Sequence, residues 1–215
     1  MNSRSRLRFV TFLTCVRFPL VLVFFVGAMV YTLPPHRVPW LFWTTFTSLI
    51  ASAVTDLFDG YFARRFNVVT RLGAHVDPLM DKFFYLASLP LLVYLAARKP
   101  DHQTHATLLL VLTLLFLARD QWVTFLRTIG AMFNQSGGAH WSGKLRTAVA
   151  FPMICTIYYY EEAPAAAPFI NCHTLYAFET VGIIVNAISL YTYTRRYWPS
   201  LRRSTELPQD GGPSA

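Results

Sequence analysis

Asp56, Asp59, Asp77 and Asp81 stand at fixed spacing in the stretch DLFDGYFARRFNVVTRLGAHVDPLMD, with a long apolar run on either side. They make up four of the eleven acidic residues of the chain. Carboxylates beside hydrocarbon are costly unless something cationic neutralises them. Asp56 and Asp59 are three apart and Asp77 and Asp81 four apart, so each pair shares one helical face. Four converging carboxylates repel one another, and hard divalent cations with all-oxygen ligation, Mg²⁺ or Mn²⁺, relieve that repulsion. Two such ions side by side suit phosphoryl displacement. Gly60 and Ala63, nearly without side chains, let a bulky group approach the backbone. Arg64 is placed to clamp a phosphate. The bland alternative is a charged loop on the water side of a membrane.

Helices must hold these residues. The apolar run Val38–Val54 leads straight into Asp56, so the first pair is expected to end a helix. Gly73 is expected to break the connector, and a second apolar helix to begin near Asp77. Arg64, Arg65 and Arg71 are expected in the turn between. Of the 215 residues, 54% are hydrophobic, 16% aromatic and only 14% charged. A soluble domain carries about a quarter charged residues. The expectation is therefore an all-α polytopic membrane protein, one domain of roughly six transmembrane helices. The net charge of +8 does not point to nucleic acid, because the basic residues flank apolar runs; anionic lipid headgroups are the expected partner.

Along the chain, Arg4, Arg6 and Arg8 precede a first apolar run, Phe9–Tyr31. A cleaved signal around Val26-Gly27-Ala28 is the minor reading; a retained first helix is the major one. Arg17, about two turns inside it, is expected to face a polar cavity. The remaining spans are predicted near Val38–Arg64, Asp77–Ala97, His105–Gly130, Thr147–Tyr160 and Thr174–Tyr193. Trp40 and Trp43 fit an interfacial aromatic belt, as does Tyr158-Tyr159-Tyr160. Arg119 and Asp120 are adjacent and expected to point in different directions. The domain is expected over 1–203, with a disordered tail from Ser204 onwards, at 204–215. Lys and Arg crowd alternate ends of the spans, which puts both termini and the aspartates in the cytoplasm. Cys15, Cys155 and Cys172 show neither disulfide nor zinc spacing. His75 is read as a loop histidine, and His102, His105, His140 and His173 show no recognisable site.

The full spacing is D-x2-D-G-x2-A-R-x8-G-x3-D-x3-D. This pattern resembles the signature of the CDP-alcohol phosphatidyltransferase family. The resemblance implies a homodimer whose protomers each have six transmembrane helices around a polar cavity open to the cytoplasm. It implies that the phosphatidyl group of CDP-diacylglycerol passes to an alcohol, with release of CMP. It assigns two divalent ions to Asp56, Asp59, Asp77 and Asp81, and the cytidine diphosphate part to Gly60, Ala63 and Arg64, with Thr70 near the nucleotide. Gly73 is assigned to the close approach of the two helices, and Asp81 to the general base.

The words around the motif look like the branch of the family whose acceptor is glycerol 3-phosphate. They are Thr11–Arg17, Thr55–Arg65, Asp77–Lys82, Ala118-Arg119-Asp120 and Gly143–Thr147. An anionic acceptor needs cations that the aspartates do not supply, and Arg119, Lys144, Arg146 and Arg17 are the candidates. Arg146 stands where that branch often has a second lysine, which keeps the charge but not the hydrogen-bond geometry. The nearest alternative is a family member using phosphatidylglycerol as acceptor. The alternative of another class is a divalent-cation transporter, against which the acids lie on one side of the membrane only and no inverted repeat is visible. The expected site of action is a bacterial inner membrane or its equivalent.

Overall fold

The computed structural model describes residues 3–34, 36–66, 71–133, 141–165 and 169–205; the side chains of 3–11, 13, 14, 56, 57, 59–66, 71–78 and 81 lie outside that description. Among the described residues there are six α-helices and no strand: α1 (Ser3–Tyr31), α2 (Pro39–Phe66), α3 (Arg71–Ala97), α4 (Gln103–Met132), α5 (Trp141–Glu162) and α6 (Cys172–Thr205). A short 3-10 turn, Pro100–His102, joins α3 to α4. Two of these segments, Pro100–Met132 and Cys172–Thr205, are long and apolar enough to cross a membrane. Their outward faces carry Leu110, Val111, Leu114, Ile184 and Tyr191, all exposed. A water-soluble protein rarely leaves so much contiguous apolar surface open. The fold is that of an all-α membrane protein.

The helices are longer than the apolar runs suggest. Gly73 does not break the connector: α3 starts at Arg71, so Gly73 and the six residues before Asp77 are already helical. Arg64 and Arg65 belong to α2, and Asp56 and Asp59 lie inside that helix, which runs on to Phe66. Hydrogen bonding of backbone to backbone is the only satisfaction available near hydrocarbon, which favours carrying a helix past its apolar stretch. For the same reason α5 begins at Trp141, six residues before the expected Thr147. At the other end of the chain α6 carries Arg195, Arg196, Arg202 and Arg203 as helix and reaches Thr205; residues 206–215 of the expected tail lie outside the described residues.

The larger of two buried clusters among the described residues runs through the bundle. Val21, Phe24 and Ala28 of α1, Phe42 and Leu49 of α2, Leu92 and Leu95 of α3, Leu109 and Phe116 of α4, and Met153 and Ile157 of α5 are all buried in it. The most extensive packing is α1 on α2, followed by α6 on α5 and on α4. Gly27 permits the first of these, since a Cβ there would run into the Thr45 methyl. Close approach through small residues is the usual way helices associate in lipid. Thr45 also ties α2 to α5, with its Oγ1 2.6 Å from the Tyr158 hydroxyl.

Tyr158 therefore corrects the aromatic-belt expectation. It is fully buried and stacked on Phe42 at 5.6 Å between ring centroids. Its hydroxyl meets Thr45, so burial leaves no orphan. Trp40 and Trp43 are exposed near the start of α2, as a belt requires. Cys15 and Cys172 are exposed, and all three cysteines are free thiols.

Candidate functional site

The aspartates sit on helical backbone on two elements, Asp56 and Asp59 within the last three turns of α2, and Asp77 and Asp81 in the first three turns of α3. Both pairs lie on helical backbone, in which residues three or four apart are neighbours. The side chains of Asp56, Asp59, Gly60, Ala63, Arg64, Gly73, Asp77 and Asp81, and Thr70 altogether, lie outside the described residues.

Just past Asp81 the description resumes, and a basic cluster begins there. Phe84 and Tyr85 follow Asp81 by three and four residues, one helical turn along α3. The Arg17 guanidinium lies 5.8 Å from the Phe84 ring centre. The Arg146 guanidinium lies 4.7 Å from the centre of Tyr85 and 4.9 Å from that of Phe116. Arg17, Arg119 and Arg146 are all buried, which a cation tolerates only with acids, ring faces or hydrogen-bond acceptors around it.

Asp120 supplies the acid. Arg119 donates Nη1–H to Asp120 Oδ1 and Arg146 donates Nη2–H to Asp120 Oδ2, each at 2.9 Å. The adjacent residues Arg119 and Asp120 thus turn towards each other, contrary to the expectation that they diverge. The long arginine stem reaches back to its neighbour because α5 brings a second arginine to the same carboxylate. From α6, Asn186 Oδ1 accepts from Arg146 Nε at 3.2 Å, and Ser189 accepts from Arg119. Two arginines on one aspartate leave a net positive charge in a buried place. Two further N–H groups, Arg119 Nε and Arg127 Nε, are buried with no hydrogen-bond partner among the described residues. Such donors are costly to leave unmade, and an anion arriving from solution would satisfy them.

Tyr193 was not visible from the sequence as part of this cluster. Arg127 donates to its hydroxyl at 2.9 Å, and the Arg119 and Arg127 guanidinium groups lie 5.2 and 5.3 Å from its ring centre. Gly143 makes room for it, since a Cβ at that position would come within 2.9 Å of the Tyr193 hydroxyl. Lys144, the remaining acceptor candidate, is exposed and takes no part in this network among the described residues.

A second polar centre lies at the other end of the bundle. The structure brings together His102 and His105, in which the sequence shows no recognisable site. Both converge on Glu161 of α5, His102 with Nδ1 at 2.9 Å and His105 with Nδ1 at 2.7 Å. His105 Nε2 donates to Glu179 of α6 at 2.7 Å, and Lys99 Nζ lies 3.0 Å from Glu161. At the same end Arg98 donates to the Thr32 carbonyl at 3.1 Å, and Arg37 and Lys99 face Glu162, both at 3.8 Å. The pair of histidines three apart was a local signal, but its acids lie 56 and 74 residues away, where no spacing rule reaches.

Comparison with known proteins shows the family. The profile of the CDP-alcohol phosphatidyltransferase family matches residues 9–190. The chain is 34% identical over 138 residues, 63% of its own length and 67% of the relative's, to a CDP-diacylglycerol--glycerol-3-phosphate 3-phosphatidyltransferase of Haemophilus influenzae. It is 37% identical over 101 residues to the protein of that name in Cereibacter sphaeroides, covering 47% of this chain and 42% of the relative. It is also 44% identical over 54 residues to a CMP-forming cardiolipin synthase of Oryza sativa, covering 25% of this chain and 16% of that protein. The matched stretch thus spans about half the length of several curated relatives, 42% and 46% in two of them.

Proposed function

The chain belongs to the CDP-alcohol phosphatidyltransferase family, and we propose that it transfers the phosphatidyl group of CDP-diacylglycerol to glycerol 3-phosphate, releasing CMP and forming phosphatidylglycerophosphate. The observation that carries the choice of acceptor is the buried pair Arg119 and Arg146 on Asp120, with orphaned arginine N–H groups beside it. A phosphomonoester brings the negative charge that such donors lack, whereas a neutral alcohol brings none.

The donor set on α2 and α3 fits divalent cations: two carboxylate pairs, each on one face of a helix, with hard oxygen ligands only. Asp56, Asp59, Asp77 and Asp81 would hold two ions, Mg²⁺ or Mn²⁺. When bound, they neutralise the diphosphate and stabilise charge on the departing CMP. The rest falls to the chain. Gly60 and Ala63 admit the cytidine diphosphate part close to the α2 backbone, Arg64 holds its phosphate, and Thr70 and Gly73 complete that side. Asp81 takes the proton from the acceptor hydroxyl. That oxygen bonds to the lipid-bearing phosphorus while the bond from phosphorus to the CMP oxygen breaks, in line. Arg119, Arg146 and Arg17, with Lys144 at the rim, orient glycerol 3-phosphate by its phosphate. In this reading the site and both termini face the cytoplasm, the protein acts as a homodimer, and the acyl chains stay in the bilayer.

An acceptor screen tests the proposal. Purified protein in detergent is given CDP-diacylglycerol with glycerol 3-phosphate, phosphatidylglycerol, serine or inositol phosphate, and CMP is measured. Glycerol 3-phosphate is expected to support release. Release with phosphatidylglycerol instead would move the chain to cardiolipin synthesis, and no release with any acceptor would leave the transporter reading standing.

A further inference from the structure

We propose that His102, His105 and Glu161 form a second, separate metal site for a borderline divalent transition ion such as Zn²⁺, at the end of the bundle opposite the aspartates. Their ligand atoms all lie within 4.8 Å of one another. His102 closes the 3-10 turn and His105 stands one turn on in α4, so both present Nδ1 on one face; Glu161 comes from the last turn of α5. Two imidazoles and a carboxylate are a recurrent zinc ligand set that leaves a fourth position for water. Mixed nitrogen and oxygen ligands also select against Mg²⁺, which prefers oxygen alone.

Glu179 makes the assignment more than a proximity. A metal-bound histidine generally donates its other ring N–H to a carboxylate, which fixes its orientation and tautomer. His105 does so here, with Nε2 2.7 Å from Glu179 Oε1, and both residues are buried. The same Glu179 carboxylate also satisfies Nε2–H of His105 when no ion is bound. Charge balance agrees as well. Glu161 and Glu179 are two buried acids, and a divalent ion cancels both. In its place the Glu161 carboxylate takes the Lys99 ammonium, whose side chain is only partly buried. On metal binding the protons on His105 Nδ1 and His102 Nδ1 leave for solvent, with His102 keeping N–H at Nε2; both Nδ1 contacts with Glu161 pass to the ion, and Lys99 swings out.

The site is remote from the chemistry. Ala97, where α3 ends beside this centre, stands 16 residues after Asp81, and the helix rises about 1.5 Å per residue, on the order of 24 Å in all. A bound ion would join α4 and α5 directly, and α6 through Glu179, clamping three helix ends without touching the reacting groups.

The test is zinc binding by the full chain in detergent, with Mg²⁺ in excess to occupy the aspartates, read by competition with a chromogenic chelator. About one Zn²⁺ per chain is expected, retained when Asp59→Asn and Asp77→Asn are introduced. Loss of that zinc in the aspartate variant would overturn the proposal. His102→Ala with His105→Ala is expected to abolish binding, and Glu179→Gln to weaken it on the order of ten- to a hundredfold. Lys99→Met is expected to tighten binding, a gain that misfolding does not mimic. Co²⁺ in place of Zn²⁺ is expected to show the intense visible bands of a four-coordinate site. Equal zinc uptake by the double histidine variant, or no stoichiometric zinc in the wild type, would overturn the proposal.

Discussion

Arg146 donates Nη2–H to Asp120 Oδ2 at 2.9 Å across 26 residues of sequence. That single bond fixes the start of α5 against the middle of α4. It also sets a second guanidinium beside Arg119, which is bonded to the other oxygen of the same acid. Two cations held together by one aspartate form a site with charge to spare.

Asp120 is thus expected to matter for stability before it matters for substrate. Removing one partner of a buried ion pair typically costs on the order of 3–5 kcal/mol, because the remaining charges stay buried. Asp120→Ala should lower the thermal midpoint of the detergent-solubilised protein well below that of the wild type. Asp120→Asn, which keeps an oxygen acceptor, should fall between. Unchanged midpoints in both would mean that the arginines find other partners at no cost.

Arg146→Lys separates charge from geometry. Lysine keeps the cation but loses the simultaneous bonds to Asp120 and Asn186 and the flat contact with Tyr85 and Phe116. The KM for glycerol 3-phosphate should rise about tenfold, equivalent to roughly 1.4 kcal/mol, with the KM for CDP-diacylglycerol changing little. Lys144→Ala should act in the same direction but less, because Lys144 is exposed. Steady-state kinetics with each substrate varied in turn decides it.

Asp81→Asn tests the base. Loss of general-base catalysis costs on the order of 10²–10⁴ in rate, so turnover should fall at least that far while CDP-diacylglycerol binding persists. Near-normal kcat would transfer the role elsewhere.

Gly27→Ala probes the fold without touching either polar centre. The added methyl meets Thr45, whose hydroxyl is shared with buried Tyr158. Overpacking of this kind costs about 1–3 kcal/mol. A lower thermal midpoint with kcat per folded molecule unchanged is the expected result; an unshifted midpoint would show that α1 and α2 part easily.

What the sequence revealed follows from how local each signal is. The aspartate pairs and the helices beneath them were legible because spacings of three and four are read along one strand of chain. The start of α5 was not, since Trp141-Ser142-Gly143-Lys144 carries a glycine and two polar residues where an apolar run would mark a helix. Tyr158 was misread because a row of three tyrosines looks interfacial until Phe42 and Thr45 of another helix close over one of them. Arg119 and Arg146 were legible as cations near span ends, but their shared acid and the role of Tyr193 depend on helix rotation. The histidine centre was hidden for the same reason, since His105, Glu161 and Glu179 come from three separate helices.

The most direct measurement follows the acceptor itself. Glycerol 3-phosphate with a labelled carbon is incubated with the purified protein, CDP-diacylglycerol and Mg²⁺ or Mn²⁺, and the lipid phase is extracted. The account predicts label in phosphatidylglycerophosphate, matched mole for mole by CMP and abolished by a chelator. Label confined to the aqueous phase while CMP is still released would contradict it.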